Sequence, residues 1–156
     1  MAVSDNIAVH TVTVEYWFGA GAHYNWTMNN TGTYTQQLDI PGGSTQTLHY
    51  IFHANDTAGN WTGTGTSDVP VYDTNIPVFS ADVTPSTAGT GDSVTFQVDV
   101  TDNIAVDHVT VEYWFGSGTH FNWTMNGTGT YTQDLGIPSG SALNVHYIFH
   151  ANDTDD

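Results

Sequence analysis

VTVEYWFG occupies residues 12–19 and returns, letter for letter, at residues 109–116. Successive side chains on a strand point to opposite faces, so the first copy sends Val12, Val14, Tyr16 and Phe18 to one side and Thr13, Glu15 and Trp17 to the other. Alternation with β-branched and aromatic residues predicts a half-buried strand. LHYIFHAN at residues 48–55 alternates in the same way, with Leu48, Tyr50, Phe52 and Ala54 inward and His49, Ile51, His53 and Asn55 outward. A slip of one residue would bury Glu15 and two histidines, so the register is strongly determined.

The repetition extends well beyond this octet. Asp5 to Thr57 returns from Asp102 to Thr154, a shift of 97 positions, with DNIAV, NWTMN, TGTYTQ and HYIFHANDT also shared. A period of roughly a hundred residues is the size of one small all-β domain, so the unit of design is a module in an array. One full period read from Asp73 gives strand A at about Val78–Val83, B at Ser93–Val100, C at His108–Phe115, a short strand at His120–Met125, E at Gly129–Leu135 and F at Leu143–Asn152. Strand G is read from the earlier copy, at Trp61–Val71. Gly, Asn, Asp and Pro punctuate the strands, and no stretch carries a helical stripe of apolar residues. The expected fold is all-β, a sandwich of immunoglobulin-like strand count.

Composition narrows the function. The 156 residues include no Lys or Arg, 16 Asp plus Glu and 8 His, for a formal charge of -16. Such a chain repels nucleic acid and anionic lipid and cannot grip phosphate through fixed cations. With 38% hydrophobic and only 10% charged residues it has the apolar surface to fold. There is no cysteine, hence no disulfide or thiolate metal site, and without lysine no Lys–Asn isopeptide staple. No apolar run approaches the roughly 20 residues of a membrane-spanning helix, so no membrane insertion is expected of this segment.

DTNIPVFSADVTPSTAGTGDSVTFQVDVTDNIAVDHVTVEYWF at residues 73–115, followed by GTGTYTQDLGIP at 127–138 and by HYIFHANDTAGNWT at 49–62, resembles the Ig-like and cadherin-like repeats of prokaryotic cell-surface proteins, especially archaeal surface glycoproteins. That resemblance covers almost the whole chain and implies an Ig-like sandwich in an extracellular or cell-surface setting. On this frame residues 1–72 hold strands C to G and residues 73–156 hold strands A to F, two partial repeats. The chain is then expected to be a slice of a longer array, or a subunit whose open edges are filled by strands of neighbouring subunits.

Seven N-x-S/T sequons, at Asn25, Asn29, Asn55, Asn60, Asn122, Asn126 and Asn152, point to N-linked glycans. The loops at one pole of an Ig-like sandwich bring Asp5 and Asn6 near Asp56 and Asn60. They likewise bring Asp102 and Asn103 near Asp153, Asp73 and Asn75. Converging carboxylate and amide oxygens without a cation suit Ca²⁺, which takes six to eight oxygen ligands; the same residues also serve as ordinary turn formers. His49 and His53, with Glu15 on the partner strand, are repeated as His146, His150 and Glu112. Histidines four apart on a strand stand about 13 Å from each other, too far to share one ion, so a bridging Zn²⁺ or Cu²⁺ would need one His from each of two strands or chains. The outward Trp17 and Trp114 are candidates for assembly contacts or for stacking on sugars.

No nucleophile elbow, phosphate loop or HExxH pattern is present, and no enzyme is expected. The leading expectation is a structural extracellular protein, tandem Ig-like repeats forming a glycosylated cell-surface filament, sheath or stalk, its partner being itself. Alternatives are an adhesin or carbohydrate-binding module recognising cell-surface glycans, and an accessory domain of a secreted hydrolase.

Overall fold

The computed structural model describes every residue except Ile7, Gly32, Ser141, Asp155 and Asp156. Its described residues are all-β, built of antiparallel sheets, with no helix. They form two units, Met1–Asp73 and Thr74–Asp156.

The second unit is the fuller of the two. Strands β8 (Val78–Asp82), β9 (Ser93–Thr101), β12 (Asn126–Thr128) and β13 (Thr130–Gly136) form one sheet in the order β12-β13-β9-β8. Strands β10 (Val106–Phe115), β11 (Phe121–Thr124) and β14 (Val145–Asp153) form another in the order β11-β10-β14. Alternation along β9 sends Val94, Phe96, Val98 and Val100 inward. They meet Val109, Val111 and Tyr113 of β10 and Tyr131 and Leu135 of β13 in one buried cluster. The two sheets thus pack face to face, as a sandwich requires. Phe96, fully enclosed, has the rings of Tyr113 at 6.0 Å and Tyr147 at 5.2 Å.

The first unit repeats one of these sheets faithfully. Strands β1 (Val9–Phe18), β2 (Tyr24–Thr27), β5 (Leu48–Asp56) and β6 (Trp61–Gly63) run in the order β2-β1-β5-β6, with β7 (Ser67–Val69) also on β5. Tyr16 faces Tyr50 and Phe18 faces Leu48, as Tyr113 faces Tyr147 and Phe115 faces Val145 in the second unit. Of the expected inward set, Val12, Tyr16, Leu48 and Ala54 are buried, while Val14, Phe18, Tyr50 and Phe52 are half-buried. The segment expected as one strand G is two short strands, because the register on β5 slips by one residue between β6 and β7. There the Thr64 hydroxyl, 3.1 Å from the Phe52 amide, takes a place in the ladder.

The other sheet is where the units part. Among the described residues of the first unit it amounts to β3 (Asn29–Asn30) paired with β4 (Tyr34–Thr35), plus one exchange of backbone bonds with the start of the chain. The Met1 nitrogen donates to the Tyr34 carbonyl at 2.9 Å and the Tyr34 amide donates to the Met1 carbonyl at 3.0 Å. The buried cluster is correspondingly small: Val12, Met28 and Ala54. An open cleft of about 320 Å³ runs over the inner face between Val14, Tyr16, Leu48, Tyr50 and Phe52.

Candidate functional site

The outward faces of β1 and β10 carry the same constellation. Phe18–Gly21 and Phe115–Gly118 form tight turns, closed by bonds from the Gly21 amide to the Phe18 carbonyl and from the Gly118 amide to the Phe115 carbonyl, each 2.9 Å. Gly19 and Gly116 take φ of 52° and 53° there, the left-handed region that favours glycine. Each turn folds β2 or β11 back along its partner, Tyr16 opposite Tyr24 and Tyr113 opposite Phe121, so that the preceding histidine lands beside the tryptophan. His23 stacks on Trp17 at 4.0 Å and 6°, and His120 on Trp114 at 4.1 Å and 4°. The cross-strand neighbours His49 and His146 stack on the same indoles, each at 5.4 Å.

Glu15 joins two imidazoles. His23 Nδ1 lies 2.6 Å from its Oε1 and His53 Nε2 lies 3.0 Å from its Oε2. In the second unit His120 Nδ1 is 2.5 Å from Glu112 Oε1 and His150 Nε2 is 3.3 Å from Oε2. The bonds from His23 and then His53 hold the Glu15 carboxyl below its ordinary pKa, and those from His120 and His150 do the same for Glu112. In a chain without Lys or Arg these imidazoles are the side chains able to answer a carboxylate with positive charge. Sequence reasoning placed His49, His53 and Glu15 on one face but missed His23 and His120. The signal was present in W-F-G-x-G-x-H, since a four-residue turn returns a histidine to the neighbourhood of its own tryptophan.

This geometry bears on what Trp17 and Trp114 can do. With an imidazole lying parallel on the ring at 4.0 and 4.1 Å, one face of each indole is already covered. A sugar could stack there only by displacing a histidine that the neighbouring glutamate also holds.

The acidic poles differ between units. In the first, Asp56 is buried at the end of β5, and its Oδ1 accepts from the amides of Ala58 at 2.8 Å and Asn60 at 2.9 Å. Its Oδ2 accepts from Asn60 Nδ2 at 2.7 Å. These bonds, the Asn60 side chain first, keep the Asp56 carboxyl below its ordinary pKa. Asp5 joins Asp56 and Asn60 around a small cleft of about 120 Å³, whereas Asn6 is exposed and stands outside its lining. Asp56 therefore acts as the anchor of its own turn. In the second unit Asp102 and Asp153 bring carboxylate oxygens within 4.8 Å of each other. Asp102 Oδ1 accepts from the Ile104 amide at 3.2 Å, while its buried Oδ2 has no hydrogen-bond partner. Asn103 is exposed beside Asp102; Asp73 ends the first unit and Asn75 lies just inside the second. An orphaned buried carboxylate oxygen next to a second carboxylate fits a hard cation better than the saturated Asp56 does.

The sequons also divide. Asn25 and Asn29 of the first unit and Asn122 and Asn126 of the second are exposed on strands at the margin of the fold. Asn55 and Asn152 are half-buried, and Asn55 Oδ1 accepts from the Thr11 amide at 3.1 Å. Asn60 commits Nδ2, the atom a glycan would use, to Asp56. No family model and no curated protein matches the chain.

Proposed function

We propose that the chain is a structural module of an extracellular array, Ig-like repeats that build a cell-surface filament, sheath or stalk and associate with further repeats of their own kind. The observation that carries this reading is the duplicated sheet with unequal cover. The same β1/β5 and β10/β14 pairing is built twice, and one copy leaves its inner face open. The absence of Lys and Arg leaves trypsin-like proteases no cleavage site, which suits an exposed fibre. N-linked glycans fit best at the exposed Asn25, Asn29, Asn122 and Asn126, and a calcium ion fits best at Asp102 and Asp153. The occupied indole faces weigh against an adhesin or carbohydrate-binding role. Negative-stain imaging of concentrated protein tests the proposal: regular end-to-end fibres are expected, and monodisperse single particles at every concentration would count against it.

A further inference from the structure

Strands β2 and β11 border their sheets, each with a strand neighbour on one side only among the described residues. Both lie inside the chain, between β1 and β3 and between β10 and β12. The Met28 amide donates to the Val12 carbonyl at 2.9 Å, and the Met125 amide to the Val109 carbonyl at 2.8 Å. Counting back along the ladders from those bonds, Trp26 and Trp123 turn their main-chain groups into the sheet, whereas Asn25, Thr27, Asn122 and Thr124 turn theirs to the open side. Neither ladder is bulged. Aromatic side chains stand along the same borders: Tyr24 and Trp26 are 53% and 38% exposed, Phe121 and Trp123 47% and 36%. Trp123 lies 4.7 Å from the buried ring of Tyr113, so the cover that encloses Tyr113 stops short of its neighbours even in the fuller unit.

Charge singles out these borders. The chain carries 16 acidic residues and no Lys or Arg, yet no Asp or Glu falls within residues 16–38 or 113–133, the stretches that hold β2 and β11. Glu15 and Glu112, one strand inward, are held by His23 with His53 and by His120 with His150. Two other borders are irregular and acidic. The β6/β7 border slips by one residue and carries Asp68, and β8 is bulged between Phe79 and Ala81 and carries Asp82. For two copies of an anionic chain, a neutral border lined with aromatic rings is where approach meets least repulsion.

We propose that β2 and β11 are edge-pairing surfaces for a second copy of this chain, each joining its own counterpart antiparallel. Side chains must keep their faces across the joint, and the outward main-chain groups set the register. Asn122 meets Thr124 of the second copy and Thr124 meets its Asn122, each pair exchanging N–H and C=O bonds in both directions. Trp123 then lies against its own counterpart on the two-fold axis. The joint at β2 likewise pairs Asn25 with Thr27 and Trp26 with Trp26. So short a strand offers few main-chain bonds, and the tryptophan contact supplies the rest. A sugar on Asn25 or Asn122 rises from the sheet face and leaves the main chain of the border clear.

The inference rests on the reading of the chain as a self-associating repeat module and names the surface it uses. Its test is sedimentation of the full chain, made without glycans, over a concentration series at about 0.15 M salt, with residue-resolved amide exchange at each concentration. The expected result is concentration-dependent association with protection growing at the Asn25, Thr27, Asn122 and Thr124 amides and unchanged at Trp26 and Trp123. Asn25→Pro with Asn122→Pro removes outward N–H groups that the inward ladder does not use, and Trp26→Thr with Trp123→Thr removes the aromatic contact. Each double variant should associate about tenfold more weakly or worse, while protected Met28 and Met125 amides report that its borders are still folded. Absence of association at every concentration, association that leaves the four outward amides unprotected, or undiminished association of either folded variant would each overturn the proposal. Fibres that persist in both variants would sink this inference and leave the array reading standing; edge-paired copies that never form fibres would do the reverse.

Discussion

Val14 and Val111 hold the same place in the same octet, yet Val111 is fully enclosed and Val14 is only half-buried. The local sequence is identical and so is the cross-strand partner, Phe52 for one and Phe149 for the other. What differs is the row above: Val94, Phe96, Val98 and Val100 of β9 lie over the second sheet, and among the described residues Val3 and Met1 hold the corresponding places over the first. Burying a large aliphatic or aromatic side chain is worth about 1.5–3 kcal/mol, so the β9 row supplies much of the second unit's stability. A strand octet thus specifies a sheet, while the burial of its inner face depends on another strand, here β9, which immediately precedes β10 in the chain.

The largest effect that would break or sharpen this contrast comes from Phe96→Ala. It should cost the second unit about 3–5 kcal/mol and leave the first unit's stability unchanged, as read by residue-resolved amide exchange in urea. Equal loss in both units would show that they do not fold separately and would collapse the comparison.

A smaller effect is expected where the repeats diverge. Gly127 takes φ of 149°, and a Cβ built there would lie 2.0 Å from the Thr130 carbonyl oxygen. The equivalent residue in the first unit is Asn30. Gly127→Asn should therefore destabilise the second unit by about 1–3 kcal/mol, whereas Asn30→Gly in the first should cost little. Thermal unfolding of both variants checks this, and a neutral Gly127→Asn would mean that the two hairpins are interchangeable.

The smallest effect should be common to both units. Because Glu15 and Glu112 have lowered pKa values in the folded state, their contribution is present above the ordinary glutamate range. It is lost as pH falls through the lowered folded values. Melting curves between about pH 3 and 6 should show Glu15→Gln and Glu112→Gln each flattening this acid dependence to a similar extent. A flattening confined to one unit would show that the matching outer faces are not energetically matched.

Much of the fold was legible because period-2 alternation is strong in VTVEYWF and in the 48–55 strand, where a slip would bury charge. The start of β9 at Ser93 and the span of β10 from near His108 to Phe115 follow directly from that pattern. Strand G was read as continuous because hydrophobicity says nothing about a threonine hydroxyl entering the ladder at Phe52. The stacking of His23 on Trp17 depends on the return geometry of a glycine turn, which the W-F-G-x-G-x-H spacing carries but strand alternation does not. Likewise, Asp56 and Asp102 look alike as letters. Only the neighbouring amides reveal that one is saturated by its own turn and the other keeps a buried oxygen unpaired.

The slip between β6 and β7 has a bearing on lateral growth. Sheets recruit extra strands where their border offers an even, uninterrupted row of donors and acceptors; a bulged border offers a broken one. With the edge split between β6 and β7 by a one-residue slip and glycines on either side of Thr64, that flank of the first unit is an uneven border and a poor template for a further strand.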